Sequence, residues 1–150
     1  MNMKKIVEYR KLLNVTKDVT LSELKSIYRT TMKENHPDKF TDEEKKKEVE
    51  AISTLTIEAY HFLVSIANET LAKDKDMYVK TTSSVNIEDF YMENSVLYIQ
   101  FLDGNRYEYF GVPKNTYIKM INAESPSRFA RRHIYGNFLY RSATKLVAAE

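Results

Sequence analysis

The chain has 150 residues, of which 43% are hydrophobic and 29% are charged, a composition typical of globular proteins and not of disordered ones. It contains no cysteine, which excludes disulfide bonds and thiolate zinc sites. The net charge is only +2, so any basic binding surface must come from a local cluster of cations.

The N-terminal residues give no sign of a targeting or membrane segment. Met1-Asn2-Met3-Lys4-Lys5 is basic, but the next residues, 6–10, mix charged with apolar side chains and so interrupt any signal-peptide core. No run of the sequence approaches membrane-spanning length. We therefore expect a cytoplasmic protein without membrane insertion.

Two amphipathic helices are predicted at residues 20–35 and 42 to about 70. Thr20-Leu21-Ser22-Glu23 has the form of a capping box, and Thr41-Asp42-Glu43-Glu44 repeats it. Helical spacing of apolar residues supports both helices. The first stripe consists of Leu21, Leu24, Ile27, Tyr28 and Thr31 or Met32, and the second of Val49, Ile52, Thr56, Ala59, Tyr60 and Leu63.

The tripeptide His36-Pro37-Asp38 lies between these helices. Because a proline disfavours the α conformation in the preceding residue, the first helix must end near Asn35. Two apolar stripes joined by a short polar turn predict an antiparallel hairpin with the tripeptide exposed at its tip.

Three cations, Lys25, Arg29 and Lys33, recur at every fourth position of the helix before this turn. Each step of four residues advances about 40° around the axis, so the three line one face. Such a face is a docking surface for an acidic partner or, alternatively, an ordinary solvated face.

These residues resemble the J domain of DnaJ-like co-chaperones over about residues 3 to 70. The resemblance is carried by a short first helix from Tyr9 to Val15, by Ile27-Tyr28-Arg29, by His36-Pro37-Asp38-Lys39, and by Ala59-Tyr60 followed by Leu63. It implies that the turn and the basic face bind a DnaK-type chaperone and stimulate its ATP hydrolysis. The implied chaperone-binding residues are His36, Pro37, Asp38, Lys25, Arg29, Lys33 and Lys39.

The hairpin departs from the family pattern in both helices. Thr31, Glu34 and Asn35 stand where a large aliphatic, a cationic and an aromatic residue are common, and Ser53 and Thr56 occupy positions that are normally apolar. We expect a diluted basic face and a weaker or slightly rotated core, with the neighbouring Ile52, Leu55 and Ile57 available to repack the seam.

The apolar periodicity stops around residues 73–76, which we interpret as a module boundary between a domain at 1–72 and a second domain at 77–150. Three strands are predicted beyond it, the first around Val85 to Phe90, the second from Val96 to Phe101 and the third from Arg106 to Phe110. Asp103-Gly104 predicts a hairpin between the last two. Residues 115–123 and 128 to about 139 are then predicted to be helical, with Ser125-Pro126 between them. The fold class is therefore α+β, an all-α hairpin module followed by a three-stranded antiparallel meander and two helices.

The second module resembles the small KTSC domain over about residues 79–138. The resemblance is carried by Ser83-Ser84-Val85, Gly104 with Tyr107 and Tyr109, Val112-Pro113, Tyr117, and Ala123 with Ser125. Ser127 departs from it, since glycine is common there. The resemblance implies a small α+β module without a settled function, for which RNA binding is one suggestion.

Tyr107 and Tyr109 are two residues apart in a strand, so their rings project from one face and Glu108 projects from the other. If that face is open, the rings would form a stacking platform for bases, with cations nearby to hold phosphates. The candidate residues for nucleic-acid or client binding are Arg106, Tyr107, Tyr109, Arg128, Arg131 and Arg132. The alternatives are that the rings pack into the core, that the arginines form a solvated helix face, or that the aromatic surface holds an unfolded client protein.

No catalytic site is predicted. His36 and Asp38 lack an accompanying nucleophile, oxyanion device or glycine-rich phosphate loop. His36, His61 and His133 lack the spacing of metal ligands, so we expect no metal or cofactor. The sequence thus favours a non-enzymatic, bacterial-type co-chaperone for a DnaK-type partner, with the second module as a client or RNA adaptor. The alternative is a nucleic-acid-binding protein whose hairpin is structural.

Overall fold

The computed structural model describes residues 3–143 of the chain. The chain divides into two compact units, one formed by residues Ile6–Thr70 and the other mainly by the chain from Leu71 onward. Helices make up the first unit, whereas the second combines helices with one antiparallel sheet. The predicted α+β class is therefore confirmed.

The first unit is built from three α-helices and a short 3-10 turn. Helix α1 spans Met3–Leu13, α2 spans Leu21–Glu34, the 3-10 turn spans Pro37–Lys39, and α3 spans Glu43–Ile66. Each helix buries apolar side chains completely, among them Ile6 of α1, Leu24 of α2 and Ala59 of α3. The ring of Tyr9 also packs against Phe62 with 5.7 Å between centroids. Full burial of a leucine-sized side chain contributes about 1.5–3 kcal/mol, so these positions hold the helices together.

The second unit contains a four-stranded sheet and three helices. Helix α4 spans Asn68–Ser84, strands β1, β2 and β3 span Ile87–Glu93, Val96–Phe101 and Arg106–Phe110, helices α5 and α6 span Lys114–Ile121 and Pro126–His133, and strand β4 spans Tyr140–Ser142. The strands lie in the order β1-β2-β3-β4, and every neighbouring pair is antiparallel. The turn between β2 and β3 contains Gly104 at φ +90, a conformation that glycine adopts without a steric penalty. The predicted Asp103-Gly104 hairpin is confirmed.

The two faces of this sheet have different surroundings. The inner face packs into a core with parts of α4, α5 and α6. Its fully buried members are Leu97, Ile99, Phe101, Tyr107, Tyr109, Val112, Met120, Ala130 and Ile134. Among the alternate residues, Tyr98, Gln100 and Glu108 point to the outer face and stay partly exposed, whereas the cross-strand pair Val96 and Phe110 is buried. The two-residue period predicted for these strands is thus present.

Two elements of the second unit are absent from the sequence prediction. Helix α4 runs through residues 73–76, where the apolar periodicity stops. It buries only Tyr78, Thr81 and Thr82, and one large side chain among polar neighbours leaves little helical signal. Strand β4 pairs with β3 along three residue pairs. The predicted three-stranded meander is therefore wrong in its strand count, because the fourth strand is short and arrives after two helices.

Two predicted helix ends also need correction. Helix α3 begins after Asp42, whose carboxylate accepts a hydrogen bond from the N–H of Glu44 at 3.1 Å, so the cap lies one residue beyond the predicted Thr41. Helix α6 is capped by Ser125 and begins at Pro126, two residues before the predicted start at residue 128, and it ends at His133 and not near residue 139. Residues 134–137 form a turn in which Gly136 has φ +84.

Candidate functional site

Helices α2 and α3 form the predicted antiparallel hairpin. Tyr28 stacks on Tyr60 with 4.2 Å between ring centroids, and near the turn the Ser53 hydroxyl donates to the carbonyl of Asn35 at 3.4 Å. Moving forward along α2 therefore moves the contact backward along α3, which is the mark of antiparallel packing. The hairpin places the connecting residues 35–42 at one end.

Local hydrogen bonds fix both ends of α2. The Thr20 hydroxyl accepts from the N–H of Glu23 at 3.1 Å, and the Glu23 carboxylate accepts from the N–H of Thr20 at 3.2 Å. This is the predicted capping box, and such caps contribute about 1 kcal/mol. At the other end, the N–H of Asn35 donates to the carbonyl of Thr31 at 3.0 Å. The helix therefore ends at Glu34 with Asn35 as its C-cap, in agreement with the predicted end near Asn35.

The turn after α2 exposes a histidine and an aspartate. The side chain of His36 is 58% exposed and that of Asp38 is 91% exposed. Residues Pro37–Lys39 form a single 3-10 turn, closed by the N–H of Lys39 donating to the carbonyl of His36 at 3.0 Å. The expected exposure is found for both side chains.

The His36 ring is oriented by its own turn. Its Nδ1 accepts a hydrogen bond from the backbone N–H of Asp38 at 3.2 Å and lies 3.5 Å from the Asp38 carboxylate. An Nδ1 that accepts from N–H cannot also donate to a carboxylate, so the two contacts exclude each other. The backbone bond leaves Nε2 and the Asp38 carboxylate available to a partner.

The basic face of α2 is open to solvent. Lys25, Arg29 and Lys33 are all exposed, and so is Lys39 in the turn. Within residues 3–143, none of these four cations takes part in a salt bridge. Unneutralised cations along one face raise the local concentration of an acidic partner and speed its association.

The polar departures in the hairpin have hydrogen-bond partners. Thr56 is fully buried, and its hydroxyl donates to the carbonyl of Ile52 at 2.7 Å. Ser53 bonds to the end of α2, as described above. The expected repacking by neighbouring apolar residues is wrong, because Ile52, Leu55 and Ile57 keep 37–43% of their surface exposed. At these positions hydroxyl groups with hydrogen-bond partners lie in the hairpin in place of apolar side chains.

Tyr107 and Tyr109 lie in the core of the second unit and do not form an open platform. Both rings face the inner side of the sheet, and Tyr107 is 1% and Tyr109 0% exposed. Their shared face agrees with the sequence, but the stacking role considered for them is wrong because α4, α5 and α6 contribute side chains to the same core. The alternative of inward packing describes both rings.

The polar atoms of this core are unevenly satisfied. The hydroxyls of Tyr78 and Tyr109 share a hydrogen bond of 3.1 Å, and burial raises the pKa of Tyr78 to about 12. Tyr107 Oη and Asp74 Oδ2 are buried and take part in no well-formed hydrogen bond among the described residues, although the two groups interact with each other. Burial, followed by the nearby charge of Asp74, raises the pKa of Tyr107, and burial raises the pKa of Asp74 as well.

The four candidate arginines do not form one cluster. Arg106 begins β3 on the outer face, opposite Gln100, whereas α6 packs on the inner face. Within α6, Arg131 donates from Nε to the carbonyl of Thr82 at 3.4 Å and from Nη2 to Asn86 Oδ1 at 3.1 Å. Arg128 and Arg132 are exposed. The structure therefore separates Arg106 from α6 and gives Arg131 a structural contact.

A cleft on the outer face of the sheet escapes the sequence analysis. Tyr91 and Tyr98 are cross-strand partners whose rings stack with 4.7 Å between centroids. They line a cleft of about 260 Å³ together with Arg106 and Glu108, and Arg141 donates to the Glu108 carboxylate at 2.7 Å. Strand alternation marks Tyr98 and Glu108 as outward-facing, but the cross-strand register that unites them cannot be read from the sequence.

Among residues 3–143, no group of three or more His, Asp or Glu side chains could hold a metal ion. No helix in that range is long and apolar enough to cross a membrane.

Comparisons with known proteins agree with the two-unit organisation. The family model "DnaJ domain" matches residues 8–74, and the family model "KTSC domain" matches residues 83–138. A protein named "Chaperone protein DnaJ" from Hydrogenobacter thermophilus is 35% identical over 85 residues. That alignment covers 57% of this chain but only 22% of the relative. The chain therefore carries a DnaJ domain followed by a KTSC domain.

Proposed function

We propose that this protein is a DnaJ-like co-chaperone that binds a DnaK-type chaperone and stimulates its ATPase. The proposal rests above all on the turn at the tip of the α2–α3 hairpin. There Asp38 presents a carboxylate that is 91% exposed. This turn and the whole hairpin lie within residues 8–74, which match the DnaJ domain. The similarity to a protein named "Chaperone protein DnaJ" supports the same role.

The exposed turn has the properties of a recognition element. A 3-10 turn holds Asp38 close to the end of a capped helix, so the carboxylate is presented by a short, hydrogen-bonded segment. Little conformational entropy is then lost when a partner cation binds it. His36 flanks it with an exposed ring whose Nδ1 is engaged by the backbone.

The basic face supplies attraction over a longer range. Lys25, Arg29, Lys33 and Lys39 are exposed, and charges of one sign on a docking face mainly raise the association rate. The partner surface should therefore be acidic around the point where it receives Asp38. We propose no catalytic role for His36 or Asp38, since the reaction would take place in the partner.

The role proposed for the second unit is that of an adaptor that brings a client protein or RNA to the chaperone. Its sheet and its helices α5 and α6 lie outside the DnaJ match, which ends at residue 74 within α4.

A steady-state ATPase assay with a DnaK-type chaperone tests the proposal. The Asp38→Asn variant should lose stimulation because it removes the charge from a nearly isosteric, solvent-exposed side chain. Its fold should be unchanged, since that side chain donates and accepts no bond that the helices need. The matched control is Asp76→Asn, the same chemical change at an exposed position of α4.

Stimulation by the wild type and by Asp76→Asn, with none by Asp38→Asn, supports the assignment. Equal stimulation by all three proteins contradicts it, and so does the absence of stimulation by the wild type at saturating concentration.

A further inference from the structure

The surface of α5 and α6 carries a local excess of positive charge. Residues 113–138 contain five Lys or Arg residues and one acid, a net charge of +4, whereas the whole chain has +2. The remainder of the chain is therefore net acidic. A polyanion approaching the molecule should be attracted to this segment.

All three arginines of α6 are exposed, but they differ in their hydrogen-bond partners among the described residues. Arg131 donates to the carbonyl of Thr82 and to the side chain of Asn86. These bonds link α6 to the C-terminal end of α4. Arg128 and Arg132 are four residues apart and therefore project from the same side of α6. Both are exposed, and neither is in a salt bridge within the described part of the chain.

Two clefts flank an aromatic pair beside these arginines. Phe129 and His133 contact each other with 4.6 Å between ring centroids, and both line each of the two clefts. The first cleft, about 260 Å³, is also lined by Ser125, Arg128 and Arg132. The second, about 320 Å³, is also lined by Thr116, Lys119 and Phe138.

We propose that this α5–α6 surface binds single-stranded nucleic acid. Arg128 and Arg132 contact successive phosphates in the first cleft, and a base stacks against Phe129 and Phe138 in the second. Phe129 and Phe138 are half-buried but line the second cleft. Cations beside accessible aromatic rings are the combination that single-strand binders use, and stacking requires bases that are not already paired. The proposal names the cargo of the adaptor unit and so deepens the proposed function, but it does not depend on chaperone stimulation.

Two features of the same surface sharpen the proposal. Glu124 lines the first cleft, and its carboxylate repels a phosphate there. Ile118 and Ile121 of α5 are 45% and 52% exposed. Exposed apolar side chains beside cations are the combination that binding to an anionic membrane would require. The aromatic rings lie in the clefts with the cations, so the observations favour a nucleic-acid strand over a lipid surface.

The test is fluorescence anisotropy of the full chain with a short labelled poly-U strand at about 50 and about 200 mM salt. The Arg128→Gln, Arg132→Gln double variant should bind about tenfold or more weakly at the lower salt concentration, because each charge-assisted contact is worth roughly a factor of ten. Its slope of log K against log salt should fall by about 1.4 for two lost phosphate contacts. Glu124→Gln should bind more tightly than the wild type.

Arg131→Gln is the matched control, since it removes the same charge from the neighbouring position. Circular dichroism must show that it remains folded at the temperature of the titration. We expect its affinity to stay within about threefold of the wild type, because only long-range attraction is lost. Arg132→Gln alone should weaken binding more than Arg131→Gln does.

Three outcomes would overturn the proposal. They are no binding of poly-U by the wild type, equal weakening by Arg131→Gln and Arg132→Gln, and binding to phosphatidylglycerol vesicles without binding to poly-U. Failure here is separable from failure of the co-chaperone function. Asp38→Asn should bind poly-U like the wild type, and the Arg128→Gln, Arg132→Gln variant should stimulate ATPase normally.

Discussion

Two tyrosines on β3 should respond in different ways to the same substitution. Tyr107 and Tyr109 are both at most 1% exposed, and replacement by phenylalanine removes only the hydroxyl of each. The Tyr109 hydroxyl shares a 3.1 Å hydrogen bond with Tyr78. The Tyr107 hydroxyl takes part in no well-formed hydrogen bond among the described residues and interacts with the carboxylate of Asp74.

The expected free-energy changes follow from what each substitution leaves behind. Tyr109→Phe strands the buried hydroxyl of Tyr78 without a partner, which should lower the free energy of unfolding by about 1–2 kcal/mol. Tyr107→Phe removes only an interaction with Asp74 that lacks good hydrogen-bond geometry, so its change should be smaller, within about 0.5 kcal/mol of zero. The Tyr78→Phe, Tyr109→Phe double variant removes both partners and should be more stable than the sum of its single changes predicts.

Thermal and urea unfolding, followed by near-ultraviolet circular dichroism, measure these differences. For a unit of this size, 1 kcal/mol corresponds to a shift of about 4–8 °C in Tm if the second unit unfolds independently. Calorimetry of the wild type shows whether one or two transitions are present and which conversion applies. Equal destabilisation by Tyr107→Phe and Tyr109→Phe would refute the reasoning, as would strict additivity in the double variant.

Two further predictions concern charged groups. Burial raises the pKa of Asp74 above its ordinary value of 3.8, so the stability that this group contributes is fully present below that value and is lost as the pH rises through the folded-state pKa. Asp74→Asn should therefore stabilise the protein at neutral pH. In urea titrations its free energy of unfolding should depend less on pH between weakly acidic and neutral pH than that of the wild type. A less stable variant at pH 7 would contradict this. Replacing Lys25, Arg29 and Lys33 together by glutamine should raise the concentration needed for half-maximal ATPase stimulation at low salt much more than at high salt. An effect that is independent of salt would show that these cations do not act through long-range attraction.

The hairpin is predictable from the sequence because its signals are local. A capping box, a proline and two stripes with helical spacing fix α2, the turn and the core of α3 within a few residues. Thr20, Asn35 and Asp38 accordingly lie where the sequence predicts. The cap of α3 is displaced by one residue, because Thr41 and Asp42 are both good capping residues and only the backbone geometry selects between them.

The second unit is less predictable because its decisive contacts are between distant residues. Alternation places Tyr107 and Tyr109 on one face, but it cannot say which face the helices will cover. Helix α4 is hard to recognise from the sequence, because Tyr78 is the one large side chain that it buries and its neighbours are charged or polar. The different roles of Arg131 and Arg132 depend on Thr82 and Asn86, which are almost fifty residues earlier in the chain.

Strand β4 has a consequence for the order of folding during synthesis. The ring of Tyr140 stacks on Tyr78 with 3.9 Å between centroids, and the edge of β3 is paired only when residues 140–142 are present. The ribosome delivers the complete α2–α3 hairpin long before those residues emerge from its exit tunnel. A growing chain should thus display a finished N-terminal hairpin while β3 still has an open edge, and a deletion ending before Tyr140 should produce a soluble hairpin attached to an aggregation-prone remnant.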